Sequence, residues 1–117
     1  GSSQTINWSS SGNNAITLGN ANYGVLNMTH ASGTNNFTYI NTTGWTAGSE
    51  IIVRVSKTGA GSASIVHNST VSGSYYPLYL AQRNDIAALV SGEYTILKFV
   101  LDTTDSLWYE VGTTYNY

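Results

Sequence analysis

The sequence predicts an all-β domain, an antiparallel β-sandwich or jelly roll of about eight to ten short strands. Three observations lead there. Apolar residues recur with period two along the chain, as where Ile51, Val53 and Val55 alternate with Glu50, Ile52 and Arg54. Clusters of Gly, Ser, Asn and Asp divide these runs at short intervals. Nowhere do ten consecutive residues carry helical periodicity, which leaves sandwiches and barrels as the matching architectures.

The strand-like runs follow in order: AITL (15–18), VLNM (25–28), NFTYI (36–40), EIIVRV (50–55), SIVH (64–67), PLYLA (77–81), YTILKFVL (94–101) and LWYEV (107–111). The Gly/Ser-rich segment KTGAGSAS (57–64) reads as a hairpin connection, and no internal repeat of fixed period is visible. The run at 94–101 is apolar on both sides. Thr95, Leu97, Phe99 and Leu101 form one face, and Tyr94, Ile96, Lys98 and Val100 the other. One face meets the core, so the other is expected against a second sheet or a neighbouring subunit. Tyr94, Ile96, Lys98 and Val100 are the candidate subunit interface. The last two runs face each other across a turn holding Asp102 and Asp105, whose short side chains bond nearby backbone amides, a turn role that outweighs calcium binding.

Composition narrows the function classes. The 117 residues suit one domain, with the leading Gly1-Ser2 expected as a cloning remnant. Charged residues make up 9%, and Ser, Thr, Asn and Gly together supply 54 positions, so neutral polar groups carry solubility. Nine Tyr and three Trp add the apolar surface that a folded domain needs. Four basic residues, Arg54, Lys57, Arg83 and Lys98, are too few to track a phosphate backbone, so nucleic acid is not an expected partner. No apolar run approaches the roughly 20 residues of a membrane-spanning helix. Cysteine is absent, which removes disulfides and thiolate metal sites. Five glycosylation sequons, beginning at Asn7, Asn27, Asn36, Asn41 and Asn68, compare with about three expected by chance from this composition.

Catalytic groups are scarce. The two imidazoles, His30 and His67, end strand-like runs, and no G-x-S-x-G elbow is present, so both His are expected in structural or surface roles. No cofactor or metal is implied, and the chain is read as a non-enzyme. The segment SGSYYPLYLAQRND (72–85) carries the clearest binding chemistry, because aromatic faces stack on sugar rings while polar groups bond the hydroxyls. Its candidates are Tyr75, Tyr76, Tyr79, Arg83, Asn84 and Asp85, with Trp45 of TTGWTAGSE as a further stacking surface. Against this stands the plain reading of half-buried β tyrosines and a loop Trp folded onto the core. Trp8 and Trp108 are assigned to core or interface.

Taken in order, GWTAGSEIIVRV, SIVHNST, the tyrosine-rich segment and YTILKFVLDTTDSLWYEVG resemble the C-terminal module of phage tailspikes and tail fibres over about residues 14–112. In that family a strand follows an "aG" turn, a short I-x-H strand comes next, and a hairpin whose second strand reads W-Y/R-x-V closes the module. The resemblance implies a β-sandwich assembled as a parallel homotrimer at the distal tip of a fibre, on the virion and outside the cell. It implies trimerisation and binding to a host cell-surface polysaccharide or lipopolysaccharide. The chain shows neither the Ser/Lys motifs of self-cleaving tail chaperone domains nor β-helix repeats of a depolymerase body. The alternative is a monomeric carbohydrate-binding module attached to a secreted hydrolase.

Overall fold

The computed structural model describes residues 2–7, 12–17, 23–30, 33–59, 62–87 and 92–114. Trp8 lies outside them. Among the described residues there are ten strands and no helix: β1 (Ser2–Asn7), β2 (Gly12–Thr17), β3 (Tyr23–His30), β4 (Thr34–Asn41), β5 (Glu50–Lys57), β6 (Ser62–Ile65), β7 (Tyr75–Tyr79), β8 (Ile86–Ala87), β9 (Tyr94–Asp102) and β10 (Leu107–Thr114). They form one curled sheet in the order β1-β3-β5-β9-β10-β7-β4-β6-β8, with β2 beside β4.

The first six strands alternate between two halves of this sheet. β1, β3 and β5 run parallel in one half. β2, β4 and β6 run parallel in the other. The chain therefore changes halves after each strand, and each circuit lays a new rung beside the last. A circuit spans 22 residues from Ser2 to its neighbour Gly24, and 27 from Tyr23 to its neighbour Glu50. The C-terminal strands reverse direction and end this stack: β9 is antiparallel to β5, and β8 to β6. β7 links the halves, because Tyr75, Tyr76 and Pro77 lie antiparallel to β4 while Leu78 and Tyr79 lie parallel to β10.

Two expectations are corrected here, the antiparallel pairing and the KTGAGSAS hairpin. Pairing is mixed rather than antiparallel, since five of the nine strand pairs among the described residues are parallel. Period-two alternation reports which faces are buried and is silent about the direction of the neighbouring strand. Stacked rungs are present although no repeat was visible, because successive circuits differ in length. KTGAGSAS closes no hairpin; it carries the chain from β5 in one half to β6, which pairs with β4 and β8 in the other. The expected C-terminal hairpin is present, with Leu107 opposite Asp102. Asp102 Oδ1 shapes its turn by accepting the Thr104 and Asp105 N–H groups at 2.8 and 3.2 Å.

The core draws on both halves. Leu26, Met28, Val53, Leu97 and Phe99 meet Phe37, Ile40, Ile65 and Leu78 within one buried cluster that includes Trp108. Burying each such side chain stabilises the fold by about 1.5–3 kcal/mol relative to exposure. On β9, Thr95, Leu97, Phe99 and Leu101 are buried while Tyr94, Ile96, Lys98 and Val100 are half-buried, as the two-faced pattern anticipates.

The corner between β4 and β5 aims Trp45 inward. Trp45 N–H donates to Thr42 O at 3.0 Å, and Gly48 N–H donates to Leu101 O at 2.9 Å, pinning the corner to β9. Gly48 is left-handed at φ 83°, and a Cβ there would meet no atom within 4 Å, so conformation alone selects glycine. Gly48→Ala is expected to cost about 1–2 kcal/mol in chemical denaturation. Gly112→Ala, with equal room and no left-handed backbone, is expected to stay within about 0.5 kcal/mol of the parent.

Candidate ligand groove

β7 and β10 run side by side for two residues, Leu78 beside Trp108 and Tyr79 beside Tyr109, and then part. β7 gives way to a turn closed by Arg83 N–H donating to Leu80 O at 2.9 Å. β10 continues through a bulge at Val111, which lies between Glu110 opposite Phe99 and Gly112 opposite Lys98. The strands open a groove of about 590 Å³. Gln82, Asn84, Asp85 and Ile86 line one wall, and Glu110, Val111 and Thr113 the other.

The bulge shapes the second wall, because an extra residue in one strand redirects the side chains around it. Val111 is left 56% exposed and supplies apolar surface to the groove. Glu110 ties the walls together: its Oε1 accepts the Ala81 N–H at 2.8 Å, and its Oε2 accepts the Thr113 hydroxyl.

Next in the chain to the groove residues Leu80 and Glu110, Tyr79 and Tyr109 form an aromatic ledge with His67. The Tyr79 ring lies 4.7 Å from His67 and 5.2 Å from Tyr109 between ring centroids. Arg83 Nε donates to the Tyr79 hydroxyl at 2.9 Å, which raises the guanidinium pKa further and keeps it charged. Asp85 Oδ1 accepts the His67 backbone N–H at 2.9 Å, and His67 Nδ1 accepts the Leu80 N–H at 3.0 Å. That acceptor nitrogen therefore carries no proton. Arg83 holds a left-handed backbone at φ 56°, a conformation that costs a non-glycine residue about 1–2 kcal/mol. Strain of this kind persists only where surrounding contacts enforce it, and it concentrates at ligand-binding positions.

Of the residues singled out from sequence, Asn84 and Asp85 line the groove, while Tyr79 and Arg83, their neighbours in the chain, are bonded to each other. Tyr75 lies toward the other end of β7, its hydroxyl 3.4 Å from Thr17 Oγ1, and Tyr76 packs against the core. Trp45 is 7% exposed, its ring edge-on to Trp108 at 5.4 Å, so the expected stacking surface is already used inside the protein. Tyr94, Ile96, Lys98 and Val100 occupy the outer face of β9, where Lys98 Nζ lies 2.8 Å from Glu50 Oε1 and the Arg54 guanidinium 3.7 Å from the Tyr94 ring centroid. Sequence reasoning overlooked His67 in the ledge as well as Tyr109, Glu110, Val111 and Thr113. Gly112 within a strand pattern was the available signal for a bulge.

Among the described residues, no group of three or more His, Asp or Glu is placed to hold a metal ion. Comparison with protein-family models, curated proteins and solved structures found no match.

Burial, followed by the hydrogen bond from its hydroxyl to Asp105 Oδ2 at 3.1 Å, raises the Tyr109 phenol above its ordinary pKa of about 10. A raised folded-state value favours the protonated form, so this contribution to stability is complete below about pH 10 and is lost as pH climbs through the folded value. Thermal melts between pH 8 and 11 are expected to show a shallower alkaline loss for Tyr109→Phe than for the parent.

Proposed function

We propose that this domain is a non-catalytic, saccharide-binding module that assembles as a homotrimer, of the kind that ends phage tailspikes and tail fibres. The observation that carries the binding reading is a groove lined by Gln82, Asn84, Asp85 and Thr113, next in the chain to Tyr79, whose hydroxyl holds Arg83. Aromatic faces cover the apolar side of a pyranose, and amide, carboxylate and guanidinium groups satisfy its hydroxyls. The partner class is a host cell-surface polysaccharide or lipopolysaccharide, and the location is the virion tail, outside the cell. The two facing halves of the curled sheet serve as the layers of a sandwich, with β7 as the corner strand.

The two groove carboxylates support binding over hydrolysis. Glycoside cleavage needs one carboxyl to act as acid and the other as base or nucleophile. Asp85 and Glu110 instead accept backbone N–H groups from His67 and Ala81, which orient them as structural acceptors.

Trimerisation is assigned to the outer face of β9, through Tyr94, Ile96, Lys98 and Val100, with Ile52 and Val25 continuing the apolar surface across β5 and β3. One observation favours the rival monomeric module: Lys98 with Glu50, and Arg54 over Tyr94, already give this face polar cover within one chain.

Native mass spectrometry is expected to find three copies of the 12.5 kDa chain, and Ile96→Asp to abolish the trimer. A monomeric parent at micromolar concentration selects the rival. On a glycan array, Arg83→Ala and Asn84→Ala are each expected to reduce binding about tenfold or more, equivalent to about 1.4 kcal/mol. Variants that bind as the parent does would remove the groove from the proposal. Arg83→Gly, which relieves the left-handed strain, is expected to be more stable than Arg83→Ala by about 0.5–1 kcal/mol while losing binding equally.

A further inference from the structure

The first wall of the groove is one stretch of chain, from Leu80 just past β7 to Ile86 at the start of β8. His67 holds it near both ends. Its ring nitrogen Nδ1 accepts the Leu80 N–H at 3.0 Å, and its backbone N–H donates to Asp85 Oδ1 at 2.9 Å. His67 is anchored in turn through its neighbours, because Val66 N–H donates to Phe37 O at 2.9 Å and Asn68 N–H donates to Leu78 O at 3.0 Å. The sheet thus fixes the wall through this residue as well as through the chain itself.

A backbone N–H aimed at a ring nitrogen settles how that ring is protonated. Nδ1 must present a lone pair, which neutral imidazole has and imidazolium lacks. Once the ring gains a proton, Nδ1–H and Leu80 N–H are two donors facing each other, and the bond is lost together with its hold on the wall. Leu80 is buried, and an unpaired N–H at such a position is costly, so the wall must shift to let water reach it.

We propose that His67 is a proton-sensitive clamp on the groove: neutral, it keeps the wall from Leu80 to Asp85 in place, and protonated, it lets that wall go. With the groove read as the saccharide site, on which this regulation of binding rests, ligand is held near neutral pH and released in mild acid. Imidazole is the side chain that ordinarily changes charge between pH 5 and 8, and the half-buried His67 meets solvent over part of its surface. The other ionisable groups around it come from four places. Tyr79 of β7 meets its ring edge-on, and Arg83 in the turn donates to the Tyr79 hydroxyl. Asp85 accepts the His67 N–H, and Tyr39 of β4 accepts from Asn68 Nδ2. From β10, Glu110 accepts the Ala81 N–H, and Tyr109 packs on Tyr79 with Asp105 at its hydroxyl. Phenols and guanidinium groups ordinarily stay protonated, and carboxyl groups ionised, between about pH 5 and 8.

Two variants of the full chain separate the acceptor from the ring. His67→Asn keeps an acceptor, since Asn carries Oδ1 on Cγ as His carries Nδ1, and removes both the ring and its titration. His67→Phe keeps a ring against Tyr79 and removes the acceptor. Hydrogen exchange at the Leu80 amide, expressed as protection relative to an unstructured amide at the same pH, reads the clamp without ligand, and a glycan array reads the groove. In the parent, Leu80 is expected to lose protection about tenfold or more between pH 7.5 and pH 5, with glycan binding falling in step. His67→Asn is expected to keep both across that range, and His67→Phe to lack both already at pH 7.5. Protection retained by His67→Phe and lost by His67→Asn would show that the ring acts by packing alone and overturn the proposal. So would a flat parent profile, or a pH response that His67→Asn shares, since that chain keeps His30 and every carboxylate. The parent profile decides the matter should either variant fail to fold. A Leu80 amide that follows the expected pattern in a chain that binds no glycan upholds the clamp and overturns the saccharide reading instead.

Discussion

Two parallel strands cannot be joined by a tight turn; the chain must travel back along the strand before it can pair again. Most of the architecture follows from that requirement. In this protein the return journey is itself a strand in the opposite half of the sheet, so each circuit pairs twice and walls the core from two sides. Leu26 beside Val53 and Met28 beside Val55 are built on one wall, while Phe37 beside Ile65 forms the other. The corners then bear an unusual share of the geometry. That between β4 and β5 turns Trp45 into the core and is bonded to Leu101 of β9, so the closing strand also fixes the corner of the rung beneath it.

The groove arises from the opposite situation. β7 and β10 are parallel for only two residues and then separate, and nothing in a two-residue ladder determines how far they separate. That distance is governed by side chains. Glu110 reaches Ala81 across the gap, His67 accepts the Leu80 N–H, and Asp85 holds the His67 backbone. The cleft is thus shaped by charged and polar bonds rather than by ladder pairing. The strained Arg83 backbone belongs to the same arrangement, because the turn that produces it also delivers the guanidinium to Tyr79.

Strand identity was legible in the sequence wherever burial alternates against a core, whereas β1 (Ser2–Asn7) and β8 (Ile86–Ala87) were not read as strands. The pattern of β9 at Tyr94–Asp102 was therefore readable residue by residue, and so was the turn made by Asp102. Strand partnership was not legible. Gln4, Leu26 and Val53 occupy one column of neighbours, as do Thr5, Asn27 and Arg54, and neither set looks like a repeat. The site divides along the same line. Tyr79 through Asp85 are consecutive enough to be noticed together, whereas Tyr109 and Glu110 join them only through the pairing of β10 with β7. Trp45 could be read either way, because a Trp in a Gly-flanked corner looks the same in sequence whether it turns outward or inward, and the structure turns it inward.

β10 also has a meaning in time. Chains emerge from the ribosome in order, and the first three rungs can pair as soon as their own residues appear. β7 cannot complete its contacts then, because Leu78 and Tyr79 await Trp108 and Tyr109 from the end of the chain. Until β10 arrives the core lacks its largest fully buried side chain, the Tyr79 ring has His67 but not Tyr109 beside it, and no second wall faces Asn84 and Asp85. The groove is thus a record of completed synthesis: a polypeptide interrupted before Leu107 lacks the wall that Glu110, Val111 and Thr113 supply.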